Sequence, residues 1–312
     1  MGGRLARLAV GGRHWLSRRV GVKRAISQAA ARSHAAARRA GLWNQYPLQV
    51  AEYTIRPAQW PAVTMTVAAL TDLHFGGSYF DQPRLDQVIE RTNALKADLV
   101  VLLGDYGASH LQGDSHRQAM RTLAATLQGL HAPLGVIAVL GNHDWWDDPD
   151  AQATGRGPII AGEELAAAGI LVLENQAVPL SHRGHRFWVA GLGDQLAQLG
   201  PPAVGVDDLD GLTGQLGDGS PAILLAHEPD IFAAVPSRYA VTLSGHTHGG
   251  QIKILGRTPV VPSRYGSRYV YGHIIEDERH LTVSAGLGVT ILPLRLGTRP
   301  EIVHLTLGGQ PT

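Results

Sequence analysis

The clearest pattern in the chain lies between residues 63 and 140, where short apolar runs alternate with longer amphipathic stretches. Residues 63–70 start with alternating apolar positions and end in a continuous apolar run, which predicts a strand. Over 83–95 the inward positions Leu85, Val88, Ile89, Thr92 and Leu95 recur at the spacing of one helix face. Residues 99–103 read Leu-Val-Val-Leu-Leu without a polar break, as expected of a strand covered on both faces. A second helix is predicted over 115–130 and another buried strand over 136–140. This strand–helix–strand–helix–strand order predicts a layered α/β fold with parallel pairing.

Beyond residue 150 the pattern predicts mainly strands, over 170–173, 187–191, 222–225, 240–243, 251–254, 269–275, 281–284 and 302–307. Helical spacing is sparse there, with 162–168 and 230–234 the best candidates. The Gly/Ser/Pro content of 155–158 and 211–221 predicts loops. No internal repeat and no long linker divides this body.

Composition sharpens the picture. In 312 residues, 44% apolar and 17% charged side chains describe a globular protein. The absence of Cys excludes a disulfide framework, a thiolate zinc site, an iron–sulfur cluster and a Cys nucleophile. The formal net charge of +1 hides two unlike parts. Residues 1–51 hold ten Lys/Arg and no acid, and the remaining 17 basic and 26 acidic residues give a net of −9. A basic arm, 1–51, is therefore set apart from an acidic domain, 52–312.

The arm has no apolar run near the roughly 18 residues of a membrane span. One reading is a solvated tail. Another is peripheral contact of residues 1–45 with anionic lipid, Trp15 and the leucines dipping into the surface. A third starts from Ser17-Arg18-Arg19-Val20-Gly21-Val22-Lys23, which resembles a twin-arginine export signal, although Arg24, Arg32, Arg38 and Arg39 break up the apolar region that should follow. The expected location is the cytoplasm, at the inner face of the membrane, with export as the alternative. A body at −9 would repel nucleic acid, so no nucleic-acid partner is expected.

The chemistry-bearing residues follow the apolar runs. Thr71-Asp72-Leu73-His74-Phe75-Gly76-Gly77, Gly104-Asp105-Tyr106, Gly141-Asn142-His143-Asp144, His227-Glu228-Pro229 and Gly245-His246-Thr247-His248-Gly249-Gly250-Gln251 each close a predicted strand. In open α/β sheets ligands bind beyond the carboxyl ends of strands, so five such clusters are expected to share one crevice. Asp72, His74, Asp105, Asn142, His227, His246 and His248 offer imidazole, carboxylate and amide donors, a set suited to Mn, Fe or Zn. In Asp72-Leu73-His74 and His246-Thr247-His248 the donors stand two apart, which on a regular strand puts both on one face. Seven donors exceed one tetrahedral site and suit two divalent metals sharing a carboxylate.

This order of motifs, Asp-x-His, Gly-Asp, Gly-Asn-His-Asp, a separate His and Gly-His-Thr-His, resembles that of the calcineurin-like metallophosphoesterases, over roughly residues 64–307. The Gly-His-Thr-His-Gly-Gly-Gln and Asp-Leu-His-Phe-Gly segments are most similar to a bacterial, membrane-linked branch of predicted phosphodiesterases. The resemblance implies a four-layer αββα sandwich, two mixed sheets packed face to face with flanking helices. It implies that Asp72, His74 and His248 hold one metal, that Asn142, His227 and His246 hold the other, and that Asp105 bridges them. His143 matches the family's non-ligand catalytic histidine, and Asp144 is expected to orient it. Tyr106 and Ala108 depart from branches that carry further polar residues there.

The expected activity is a dimetal phosphodiesterase or pyrophosphatase acting on a lipid or nucleotide head group through a metal-bridging hydroxide. The alternatives are a phosphomonoesterase, including a phosphoprotein phosphatase, and a non-catalytic scaffold of the same fold. Trp145, Trp146, Tyr79 and Phe80 are candidates for an aromatic rim, and Arg264, Tyr265, Arg268, Tyr269 and Tyr271 form a second cluster. The eight histidines at 110, 116, 131, 182, 185, 273, 280 and 304 are expected to be structural or surface residues.

Overall fold

The computed structural model describes residues 46–309, apart from Ser78, Gln112 and Ile291. The arm readings for residues 1–45, lipid contact and export alike, lie outside the described residues.

In chain order the first half runs β1 (Gln49–Ile55), β2 (Met65–Leu70), α1 (Gln82–Ala94), β3 (Leu99–Leu102), α2 (Asp114–Leu127) and β4 (Val136–Ala138). Then follow three short helices, α3 (Asn142–Trp146), α4 (Pro149–Thr154) and α5 (Ile160–Ala167), and β5 (Leu171–Val172). The second half adds β6 (Gln176–His182), β7 (His185–Gly191), α6 (Leu209–Gly214), β8 (Ala222–Leu225), β9 (Tyr239–Ser244), β10 (Gly272–Glu276), β11 (Arg279–Val283) and β12 (Glu301–Leu307). Single 3₁₀ turns occupy Pro229–Ala233 and His248–Gly250.

These strands form two mixed six-stranded sheets, ordered β1-β12-β2-β3-β4-β5 and β10-β11-β9-β8-β7-β6. Side chains alternate across each strand and so divide the core into three layers. Met65, Val67, Ala69, Val101 and Val139 meet Phe187, Val189, Ile223, Leu225 and Val241 between the sheets. Ala68, Leu70, Val100 and Leu102 face the other way, against Leu85, Val88 and Ile89 of α1 and Met120 and Leu123 of α2. On the far side Leu224 and Val283 are covered by Leu212 of α6, Phe232 and Tyr269. The αββα sandwich implied by the sequence motifs is the observed fold.

Several elements differ from expectation. Residues 251–254 form no strand and make only the isolated bridges Ile252–Leu296 and Ile254–Arg257. Residues 230–234 are a 3₁₀ turn, and the predicted loop 211–221 starts within α6. Two strands carry no apolar signature, β1 and β6, and both lie at sheet edges, where one flank faces solvent and pattern is weak. β6 even contains Pro179, which an edge tolerates because no partner needs its N–H. Because β1 begins at Gln49, the sheet starts inside the stretch that charge alone assigned to the arm, and the division at 51/52 falls within a strand.

Gly191, at the end of β7, packs tightly against the other sheet: a Cβ there would overlap Leu173 and lie 2.8 Å from Val139 Cγ1. Gly191→Ala is expected to cost about 1–3 kcal/mol by overpacking. The check is a lower urea midpoint at unchanged m-value.

Candidate metal centre

The parallel strands β2, β3, β4, β8 and β9 end on the same side of the molecule, and the candidate donors occupy the loops that leave them. Asp72, His74, Asp105, Asn142, His227, His246 and His248 all converge there, and all are buried. Six of them, all but Asn142, fall with Glu228 into three overlapping groups whose ligand atoms lie within 4.8 Å of one another: Asp72–His74–His248, Asp72–Asp105–His227 and His227–Glu228–His246.

The spacing argument that placed donors two apart on a strand is corrected by the backbone. β2 ends at Leu70 and β9 at Ser244, so the paired donors sit beyond the strands. Asp72, His74, Asp105, His246 and His248 have φ of 52°, 45°, 60°, 66° and 52°. This left-handed region costs a non-glycine residue of order 1–3 kcal/mol. It turns the chain sharply after β2, β3 and β9 and aims the donors there inward. Neighbouring glycines make room for this. A Cβ on Gly141 would lie 2.5 Å from Asp105 Oδ1 and 2.9 Å from His227 Cε1, and one on Gly104 would lie 2.6 Å from Gly141 N.

Hydrogen bonds set which atom each ring offers. His227 donates Nδ1–H to the Leu103 carbonyl at 2.6 Å, so Nε2 faces Asp105 Oδ2 at 3.3 Å, buried and without a hydrogen-bond partner. His246 donates Nε2–H to the Pro262 carbonyl at 3.0 Å, which leaves the Nδ1 lone pair facing Asn142 Oδ1 at 2.9 Å. His74 presents Nδ1–H to the Gly107 carbonyl at 3.3 Å and turns Nε2 toward His248 Nε2, 3.2 Å away, and Asp105 Oδ2, 3.6 Å away. Lone pairs turned on one another in a buried space make a cradle that a cation completes, and the carbonyls behind the rings are the usual outer support of metal-binding histidines.

Electrostatics agree with that use. Burial lowers His74 to about 4, and it also lowers His246 and His248, so these rings are neutral, the form that ligates. Burial opposes ionisation of Asp105 as well, but His227, His143 and His74 outweigh it and hold its carboxyl well below the usual range. For His227 burial is again opposed, here by Asp105, which raises the imidazole well above its ordinary value. Burial lifts Asp72 to about 6, with His227 pulling it down and Asp105 pushing it up.

His143 stands at the rim, its ring centroid 5.1 Å from that of His74 and 5.1 Å from that of Trp146. Asp144, expected to orient His143, makes its hydrogen bonds to backbone elsewhere. The Asp144 carboxylate turns away from His143 and accepts N–H from Gly141 (2.8 Å), Asp105 (2.9 Å) and Tyr106 (2.9 Å). His143 Nδ1 instead lies 2.8 Å from Ser109 Oγ and 3.7 Å from Asp147 Oδ2, one helical turn on. Of the proposed aromatic rim, Tyr79, Phe80 and Trp145 are core residues, and only Trp146 reaches the site, its indole N–H bonded to the Leu196 carbonyl at 2.7 Å. Trp146, Gln195, Glu228 and Arg264 line a cavity of about 490 Å³ that opens beside His246. Arg268 is committed to Glu276 at 2.7 Å, away from any substrate role.

The family profile described as calcineurin-like phosphoesterase matches residues 65–250. The chain is a calcineurin-like metallophosphoesterase. It is 34% identical to the Bacillus subtilis protein called uncharacterized metallophosphoesterase YkuE, over 83% of this chain and 85% of that one. It is 30% identical to the Escherichia coli phosphodiesterase YaeI, over 79% and 83%. A Bos taurus transmembrane protein with a metallophosphoesterase domain is 29% identical over 80% of this chain and 54% of its own length. In this metallophosphoesterase, no helix among the described residues is long and apolar enough to cross a membrane.

The metallophosphoesterase site also contains residues that the motifs did not single out. Arg295 is fully buried, donates to the Gly288 carbonyl from Nε (2.9 Å) and Nη2 (2.6 Å), and lies 3.4 Å from His248 Nδ1. A charged residue inside the run Pro293-Leu294-Arg295-Leu296 was its only signal. Glu228 sits beside His227 within the cluster read from sequence, and its Oε2 accepts N–H from Gln195 at 3.2 Å. Ser109 and Asp147 gave no motif at all.

Because Asp105 keeps His227 protonated when no cation is present, cation binding must displace that proton. Affinity for Mn²⁺ is therefore expected to rise with pH near neutrality, with release of up to about one proton per chain. Calorimetry in two buffers of different ionisation enthalpy reads this directly, and heats independent of buffer would contradict it.

Proposed function

We propose that this metallophosphoesterase hydrolyses a phosphodiester or pyrophosphate bond in a lipid or nucleotide head group. The observation that carries the reading is the convergence of seven buried nitrogen and oxygen donors with His143 at their rim. The donors fit two divalent cations. Asp72, His74 and His248 would hold one, Asn142, His227 and His246 the other, and Asp105 would lie between them. When bound, such a pair supplies an ionised water as nucleophile and neutralises charge on the phosphoryl oxygens.

The chain's own residues then have defined tasks. His143, with Nδ1 directed at Ser109 and Asp147, is assigned to present Nε2–H to the departing alkoxide as a general acid. Thr290 Oγ1, 3.5 Å from that Nε2, is assigned to steer it. Asp144 keeps the turns that carry Asp105 and Asn142 in register. The cavity beside His246 is assigned to the leaving group. The name phosphodiesterase borne by YaeI supports a diester over a monoester. Residues 1–45, with their excess of basic side chains, are proposed to hold the enzyme at an anionic membrane surface.

With Mn²⁺ present, the wild-type chain is expected to hydrolyse bis(p-nitrophenyl) phosphate faster than p-nitrophenyl phosphate, and the reverse order would favour a monoesterase. His143→Gln is expected to retain its metal and to lose roughly 10²–10⁴-fold in kcat on an alkyl diester. The loss should be much smaller with p-nitrophenoxide, which needs no proton to leave. Equal losses on both substrates would remove the general-acid role.

A further inference from the structure

Two loops next to the site combine exposure, positive charge and backbone strain in a way the fold does not require. The segment 251–257 lies beside Thr290 and residues 292–297: Lys253 N–H bonds the Leu296 carbonyl at 2.7 Å, and the Gln251 side-chain amide bonds the Thr290 and Leu292 carbonyls at 3.0 Å. They present Ile254, Leu255, Leu292 and Leu296 to solvent at 56%, 98%, 48% and 45% exposure. Ile254 and Arg257 close a two-residue hairpin whose tip, Leu255-Gly256, has φ of 51° and 76°. Such a tip is ordinarily Asn-Gly. Leucine at that position bears both left-handed strain and full exposure, so its side chain has a use outside the folded domain.

Charge indicates what that use is. In a body of net −9, residues 251–275 contain four basic residues and no acid, of which Arg264 and Arg268 pair with Asp230 and Glu276 from outside the segment, and residues 287–300 contain buried Arg295, exposed Arg299 and no acid. Lys253 and Arg257 have no acidic partner among the described residues. The basic arm joins the domain at this same place, since Gly297 donates its N–H to Tyr46 Oη at 3.3 Å. Apolar tips ringed by lysine and arginine, beside the point where ten further positive charges enter, match an anionic bilayer: leucines in the acyl boundary and cations among the head groups. The same loops border the catalytic rim, through Thr290 at His143 and through Gln251, which follows His248-Gly249-Gly250.

We infer that the face formed by residues 253–257 and 292–297 docks on an anionic membrane and presents the metal centre to its head groups; this rests on the phosphodiesterase reading given above.

The test uses the full chain, phosphatidylcholine vesicles with and without phosphatidylglycerol, and flotation. Asparagine suits the left-handed tip and threonine suits the hairpin strand, so Ile254→Thr/Leu255→Asn should fold as the wild type does. Wild type is expected to float with the anionic vesicles only, and the double variant to bind them about tenfold more weakly. Lys253→Gln/Arg257→Gln should likewise weaken anionic binding, and it supplies the readout should the first variant not fold. Binding by both variants at wild-type strength would overturn the inference, leaving the arm as the whole attachment. So would wild type that ignores vesicles but forms a dimer, detected by light scattering, that the double variant cannot form. Hydrolysis of soluble bis(p-nitrophenyl) phosphate, expected to be unchanged in both variants, reports separately on the phosphodiesterase reading.

Discussion

The Asp144 carboxylate is the tie on which the rest of the centre depends. By accepting N–H from Gly141, Asp105 and Tyr106 it fastens the loop after β4 to the loop after β3. Asp105 Oδ1 returns the link by accepting the His143 N–H at 2.9 Å. Burial pushes the Asp144 carboxyl up to about 7, and the three N–H groups that it accepts, with the fourth on Asp105, hold two strand ends in one arrangement. Asp72 does the same for the third loop, accepting the His246 N–H at 3.1 Å. Three acidic residues thus act first as backbone clamps. They tie the loop after β3 to the loop after β4, and the loop after β2 to the loop after β9.

Much of this was legible in the sequence, for a physical reason. Parallel strands covered on both faces must be continuous apolar runs, and their ends are the first places where polar side chains can appear. The positions of Asp72, Asp105, Asn142, His227 and His246 therefore stand out as the first carboxylate, amide or imidazole side chains after such runs. Direction was less legible. Asp144 follows His143, yet the one-residue offset on α3 sends its carboxylate inward to the clamp, while Asp147, one turn along, reaches the imidazole. Of the four edge strands, β5 and β10 were legible, whereas β1 and β6, with one flank exposed, carry too weak an apolar pattern to be seen. The left-handed turns at five donors could not be read at all, because aspartate and histidine there satisfy no turn rule that glycine would announce.

The charge distribution divides the molecule by task. Asp72 and Asp105 place carboxyl groups at the candidate centre, and burial keeps His74, His246 and His248 neutral so that their lone pairs remain available. Lys253, Arg257 and Arg299 add positive charge on the acid-free loops beside the rim. Fully buried Arg295 sits between these two zones, close to Asp72 and His248, and its bonds to the Gly288 carbonyl fix the loop that carries Thr290 to His143. The loop that borders the surface is thereby held by the same charge network as the donors.

The pairing of β1 with β12 has a mechanical consequence. The two strands run parallel in register from Gln49–Glu301 to Ile55–Leu307. A pull along the arm enters at Gln49, the opposite end of this pair from Leu307. Tension between those ends would slide one strand along the other and load all the cross-strand hydrogen bonds together, whereas peeling would break them one at a time. The domain therefore meets traction on its leading segment with its most force-resistant geometry, a shear clamp made from its first and last strands.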